Sequence, residues 1–299
     1  MSAMKTVLYA TDCTRNSAPA LRYAYRLSSA MDAELHVFHV YELPPVTVAT
    51  IRPPKQLKER LHQEQKEIVT NYCSTHLKNE LYLNPVKIQV VESNFVAKSI
   101  LSAAWTLEPD LVIVGMKDEY TLRGIFSGNI ANELLNKIDI PILVLPNDIY
   151  YHGLSTLIYA TDFEEADIYA LGSLVKIAES YGALIKVVHI PLKTEAVADQ
   201  YMKWFERKVR QRISYPEIVF SMSEAEDVES GLHSYIRKER ADMLVMMERE
   251  HSSIYDKLFH RDLVRTMEGE VSIPLLAFNQ KRICLEMKEQ KNNSYSLAL

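Results

Sequence analysis

Two aspartates close nearly the same seven-residue run. Thr6-Val-Leu-Tyr-Ala-Thr-Asp12 and Thr156-Leu-Ile-Tyr-Ala-Thr-Asp162 agree at five of seven positions, and both differences swap aliphatics. A carboxylate ending a strand can accept hydrogen bonds from a sugar hydroxyl or a base amine. It can equally cap the following helix through backbone N–H groups. Duplication does not separate the two roles, since a copied residue can be structural or functional. The second candidate is Gly115-Met-Lys-Asp-Glu-Tyr-Thr-Leu-Arg-Gly-Ile-Phe-Ser-Gly128-Asn129. Glycine lets backbone N–H groups come close to a phosphate, and Gly128-Asn129 opens a predicted helix. Free N–H groups and the dipole at a helix start attract anions. Lys117 and Arg123 add positive charge to the same loop.

Other signals carry less. His260-Arg-Asp-Leu263 mimics a kinase catalytic loop, but Met267 stands where its asparagine belongs, and neither DFG nor Gly-x-Gly-x-x-Gly occurs. The segment reads more simply as a helix start with Asp262 near its N-terminus. His36 and His39 point to opposite faces of one strand, so they do not chelate one ion together. His62 and His76 lie fourteen residues apart on a charged helix. All four read as structural or solvated, and no metal site is expected. No Gly-x-Ser-x-Gly elbow supports a serine hydrolase. Cys13, Cys73 and Cys284 form no CxxC, which supports neither a zinc knuckle nor a disulfide framework.

The elements that hold these residues follow from repetition and periodicity. Beyond the seven-residue run, Ala20-Leu21 aligns with Ala170-Leu171 and His39 with His189, at a constant offset of 150 residues. Asp110-Leu-Val-Ile-Val aligns with Asp242-Met-Leu-Val-Met, and Ile140-Pro-Ile-Leu-Val with Ile273-Pro-Leu-Leu-Ala. Order kept over five blocks reads as a duplication, joined near Asn147–Gly153. In the first copy strands are expected at Thr6–Ala10, Leu35–Val40, Val86–Val91, Leu111–Val114 and Ile142–Leu145. Helices are expected at Ala18–Ala30, Leu57–Leu77, Phe95–Trp105 and Ile130–Ile138. The long helix has Leu57, Leu61, Ile68 and Tyr72 as its apolar stripe. Alternating strands and helices imply βαβ units, a parallel sheet and an α/β fold. A ligand then sits beyond the strands' carboxyl ends at a topological switch point. Leu43–Pro54, with two Pro-Pro pairs, reads as a stiff surface connection. Lys281–Leu299 reads as a polar tail.

Composition bounds the function. The chain has 299 residues, 47% hydrophobic and 24% charged, with 34 Lys+Arg against 39 Asp+Glu for a formal charge of −5. That suits two globular domains. A pI near 6.0 argues against dedicated nucleic-acid binding. No apolar run reaches the roughly 18 residues of a membrane helix. The start, MSAMKTVLYATD, carries no apolar signal region, so a reduced, cytoplasmic setting is expected.

Val7-Leu-Tyr-Ala-Thr-Asp12, Leu35-His-Val-Phe-His-Val40, Asp110-Leu-Val-Ile-Val-Gly115, Gly128-Asn129 and Pro141-Ile-Leu-Val144 together resemble the universal stress protein family in its tandem two-domain form. The resemblance covers nearly the whole chain except the tail. It implies two doubly wound five-stranded parallel-sheet domains, strand order 3-2-1-4-5, with an adenine nucleotide alpha hydrolase-like architecture. Domain one is expected over 1–147, domain two over 152–280, and the tail over 281–299. Many members bind ATP or AMP through Gly, two residues, Gly, nine residues, then Gly and Ser or Thr. Gly115 and Gly128 match that pattern, whereas Asp118 replaces the second glycine and Asn129 the hydroxyl residue. Asp118 brings negative charge where phosphate approaches; two like charges near 4 Å cost roughly 4 kcal/mol at an intermediate dielectric. Bound Mg²⁺ reverses that sign, and Asn129 still donates a hydrogen bond. By resemblance, nucleotide contacts fall on Thr11, Asp12, Val40, Gly115, Lys117, Gly128, Asn129 and Ile130.

The corresponding stretch of the second copy, Met247 to Asp262, contains no glycine and is crowded with acids. Nucleotide binding is not expected there; packing, partner binding or regulation is. Met243, Met246 and Met247 read as core filling, with one of the last two reaching the crevice. Tyr201, Trp204 and Phe205 read as a packing stripe, with a partner surface as the other reading. The resemblance also implies domain pairing through the last strands, Ile142–Leu145 and Leu275–Phe278, in a monomer or a dimer of chains. A stress-response binding or regulatory protein is expected, with no catalytic residues. A slow Mg-dependent ATPase switch and a nucleotide-free interaction scaffold are the alternatives.

Overall fold

A computed structural model describes residues 4–43, 55–115, 127–191, 197–248, 273–280 and 283. Contacts divide the chain into two compact units. One comprises Met4–Lys137 with Val144–Tyr151, and the other Ile138–Leu143 with the described residues from His152 onward.

The first half runs β1 (Thr6–Thr11), α1 (Ala18–Ala30), β2 (Glu34–Tyr41), α2 (Lys55–Leu77), β3 (Lys87–Glu92), α3 (Val96–Leu107), β4 (Leu111–Gly115), α4 (Ser127–Lys137) and β5 (Ile142–Leu145). Its strands lie in the order β3-β2-β1-β4-β5. β1 runs parallel to both β2 and β4. Val7, Leu8 and Tyr9 are buried on both faces of β1, as the unbroken apolar run requires. α1 keeps its expected bounds, with Pro19 in its first turn, where the missing N–H is no loss.

α2 departs from the stripe expected of it. Val69, Tyr72, Cys73 and Leu77 are its buried residues, while Ile68 is 48% exposed. The packed stripe therefore runs one residue over from Ile68, at helical steps of three and four. α4 begins three residues earlier than its apolar pattern suggests, because Ser127, Gly128 and Asn129 form its first turn. The Pro-Pro connection, the HRDL segment and the tail, Ile283 excepted, lie outside the described residues.

The second half runs β6 (Thr156–Ala160), α5 (Glu165–Glu179), β7 (Leu184–His189), α6 (Ala198–Arg212), β8 (Ile218–Met222), α7 (Val228–Glu239), β9 (Met243–Glu248) and β10 (Leu275–Asn279). Its strands lie in the order β10-β9-β6-β7-β8, with β6 parallel to β7 and β9. This repeats the arrangement of the first half. Met243, Met246 and Met247 are all buried in β9.

Each half is pinned by one aspartate at the start of its fourth strand. Asp110 Oδ2 accepts from the backbone N–H groups of Lys5 and Thr6 at 2.7 and 3.0 Å. Asp242 Oδ2 accepts from Ser155 and Thr156 at 2.6 and 2.8 Å. These N–H groups precede or open the first strand, where a partner on the sheet is lacking, and a carboxylate supplies one. The repeat of Asp110 and Asp242 in the sequence therefore records a structural staple.

Candidate functional site

The strand order reverses direction at β1, so the ends of β1, β2 and β4 bound a crevice of the switch-point kind. Register fixes what meets there. Thr11 pairs with His39, and Ala10 with Val114. Thr11 and Asp12 therefore leave the sheet between Val40 and Gly115. Thr11, Asp12, Val40 and Gly115 are all half-buried. A Cβ added to Gly115 would stand 3.4 Å from Ala20 Cβ, so α1 closes tightly over the end of β4.

The chain turns at once after Asp12, and Cys13 takes a left-handed φ of 56°. Such a conformation costs a non-glycine residue about 1–3 kcal/mol and persists only where neighbours enforce it. Thr11 Oγ1 accepts from the Cys13 N–H at 3.1 Å. Asp12 Oδ1 accepts from the Thr14 N–H at 3.1 Å, the Thr14 hydroxyl at 3.0 Å and the Ser17 hydroxyl at 2.6 Å. Asp12 thus organises the turn into α1. These bonds lie ahead of α1, whose first residue is Ala18, so they form a turn and leave both the capping role and the ligand role weighed for Asp12 to be tested. His39 Nδ1 lies 2.9 Å from the Thr11 carbonyl oxygen, which sets it as the protonated nitrogen.

Behind this turn lies a buried polar cluster. Tyr72 places its hydroxyl near Thr11, Ser17 and Tyr9, and burial pushes it up to about 12. Burial, then the neighbouring Cys73 and Asp12, push the Cys13 thiol up to about 12. Burial does the same to Cys73. Neither thiol is a ready thiolate nucleophile at neutral pH.

The other expected contacts divide. Gly128, Asn129 and Ile130 fall in the first turn and a half of α4, with Ile130 half-buried. Lys117, Asp118 and Arg123 lie outside the described residues. His36 Nε2 meets Glu34 Oε1 at 2.5 Å. His62 packs edge-on against Tyr41, and His76 edge-on against Tyr72. Among the described residues no group of three His, Cys, Asp or Glu side chains is placed to hold a metal ion.

The second half repeats the frame and changes its contents. Thr161 Oγ1 accepts from the Phe163 N–H at 2.9 Å, and His189 Nδ1 lies 2.8 Å from the Thr161 carbonyl oxygen. Phe163 has φ 66°. Its ring lies 4.3 Å from that of His189 and 5.8 Å from that of Phe205. Asp167, fully buried in the first turn of α5, accepts from the Tyr159 hydroxyl at 2.9 Å and the Thr161 hydroxyl at 2.7 Å. It also accepts from the Glu164 N–H at 3.2 Å within a capping box. In the first half Ser17 occupies that place. Met247, in place of Gly115, is buried. Sequence reading passed over Phe163 and Asp167. The 150-residue offset, continued past Asp162, marks both: Cys13 becomes Phe163 and Ser17 becomes Asp167.

Residues 4–146 match the model of the universal stress protein family. The first half of the chain is a domain of that family. A universal stress protein from Archaeoglobus fulgidus has a similar fold over 92% of this chain and 96% of its own, with a TM-score of 0.63 and 14% identity. A functionally unknown protein from Pseudomonas aeruginosa PAO1 is similar over 97% of this chain and 98% of its own, with a TM-score of 0.58 and 13% identity. At these identities the likeness is one of fold. An uncharacterized protein from Schizosaccharomyces pombe is 28% identical over 93 residues, which are 30% of this chain and 16% of that relative's length. Among the described residues no helix is long and apolar enough to cross a membrane.

Proposed function

We propose that this chain is a cytoplasmic stress-response protein of binding or regulatory type, not an enzyme, whose first half takes an adenine nucleotide. ATP and AMP are the ligands considered, with Mg²⁺ offsetting the charge of Asp118. The observation that carries this reading is the joint placement of Thr11, Asp12 and Gly115 at a switch point. Thr11 and Asp12 offer polar atoms to a base or ribose. Gly115 offers backbone without a side chain. Gly128 and Asn129, in the first turn of α4, offer the N–H groups that an anion requires. Lys117 supplies charge from sequence alone. The second half supports no such role, because Phe163, Met247 and Asp167 replace the small or neutral residues Cys13, Gly115 and Ser17.

The test is thermal unfolding of the full chain with ATP or AMP, with and without Mg²⁺. A ligand at 100 times its dissociation constant stabilises by about 2.7 kcal/mol, which moves a midpoint by roughly 5–11 °C for a domain of about 150 residues or more, at roughly 2–4 °C per kcal/mol. A shift that disappears in Gly128→Val supports the reading. No shift at millimolar ligand overturns it in favour of a nucleotide-free scaffold. Steady phosphate release abolished by Asp118→Ala would instead make the chain a slow ATPase.

A further inference from the structure

We propose that the outward stripe of α6 is a docking site for an acidic polypeptide segment. The three residues that read together as a packing stripe separate in the structure. Phe205 is fully buried, whereas Tyr201 is 55% exposed and Trp204 41% exposed. Helical geometry explains the split. Met202, Phe205 and Val209 form the buried face. Val197, at the helix N-cap, Tyr201, Trp204 and Lys208 follow at steps of four, three and four, so they form a separate stripe on its flank. Val197 is exposed as well. Phe163 stacks with Tyr201 at 6.3 Å between ring centroids and extends the aromatic surface toward the end of β6.

Charge identifies the occupant. α6 carries Lys203, Arg207, Lys208, Arg210 and Arg212 against Asp199 and Glu206. Among the described residues Arg210 pairs with Glu206 and Arg212 with Glu165. Lys203, Arg207 and Lys208 have no ion-pair partner among them. The counterpart helix of the first half is different. On α2, Lys55 pairs with Glu59, Arg60 with Glu64 and Lys58 with Glu92. Its large exposed apolar residue is Ile68, not an aromatic. Tyr, Trp and Arg side by side are the residue types that concentrate binding energy at interfaces, and unpaired cations around them select an anionic partner.

A short peptide fits better than a membrane or a nucleic acid. The apolar face of α6 is already committed to the core, so little remains to enter hydrocarbon. The chain as a whole carries −5, which repels an extended anionic surface. An acidic segment with a few Leu or Phe side chains meets only the two rings and the three cations.

The experiment uses the full chain and a fluorescein-labelled 15-residue peptide of Glu and Asp with Leu and Phe at every third or fourth place, read by anisotropy. Binding is expected to weaken about tenfold or more in Trp204→Ser and in the triple change Lys203→Glu, Arg207→Glu, Lys208→Glu. It should weaken with added salt and stay unchanged in Ile68→Ser. In a Trp105→Phe background, peptide should shift Trp204 emission to the blue, which reads the site without altering α6. The proposal is overturned by absence of binding, by binding indifferent to these variants, or by an unmoved Trp204 emission. It is also overturned if phosphatidylserine vesicles or oligo-dT bind through these residues while the peptide does not.

Discussion

The turn after β1 and the turn after β6 share a frame and differ in what fills it. In both, a threonine hydroxyl holds a left-handed residue, a histidine Nδ1 meets the threonine carbonyl, and an aspartate staples the first strand's entry. In the first half, a thiol at Cys13, a hydroxyl at Ser17 and bare backbone at Gly115 line the crevice end. In the second, a phenyl ring, a buried carboxylate and a methionine take those places. The frame follows from what a parallel sheet needs at a strand end. The contents are free to diverge, and the proposed nucleotide site of the first half rests on them.

Breaking the contents of the second turn should have the largest effect. Asp167→Ala leaves the buried Tyr159 and Thr161 hydroxyls without their acceptor, at a cost of roughly 3 kcal/mol. Ser17→Ala in the first half should cost about 1 kcal/mol. Urea unfolding of the two variants measures the gap, and equal costs would remove the distinction. Breaking the shared frame should be symmetric: Asp110→Ala and Asp242→Ala should each cost about 1–2 kcal/mol, again by urea unfolding. A cost confined to one half would show that the staple is not common to both.

The shared frame was legible in the sequence because it repeats. Thr11 and Thr161, His39 and His189, and Asp110 and Asp242 all sit in aligned blocks. Repetition located them without separating structure from ligand chemistry, since Asp12 satisfies a turn in either case. Strand and helix order was legible from alternating apolar runs. The phase of α2 was not. Its charged face is long, and only packing shows that Val69 and Cys73 are buried while Ile68 is not. Tyr201 and Trp204 matched a core stripe in spacing. Only exposure separates them from Phe205.

Two smaller effects sharpen the comparison. Asp118→Gly restores the family's glycine and removes a like charge, so in the absence of Mg²⁺ nucleotide affinity of the first half should rise about tenfold or more. Met247→Gly should confer none on the second half, because Phe163 and Asp167 remain. Calorimetric titration of both variants reads this directly.

The smallest effect is in pH. Burial, with Arg22 and Arg15 nearby, holds His76 below its ordinary value of 6.5. The unfolded chain then binds the proton more readily than the folded one. The stability linked to neutral His76 is therefore complete above pH 6.5 and is lost as pH falls from there through the lowered folded value. His76→Gln should flatten that part of the stability–pH curve. An unchanged curve would exclude His76 as its source.

The central claim is that the two halves differ in admitting a nucleotide, and counting bound ligand tests it most directly. Calorimetric titration of the full chain with ATP and Mg²⁺ should give one site per chain. That site should vanish in Gly128→Val and persist in Asp162→Ala. Two sites, no site, or a single site lost only in Asp162→Ala would contradict the account.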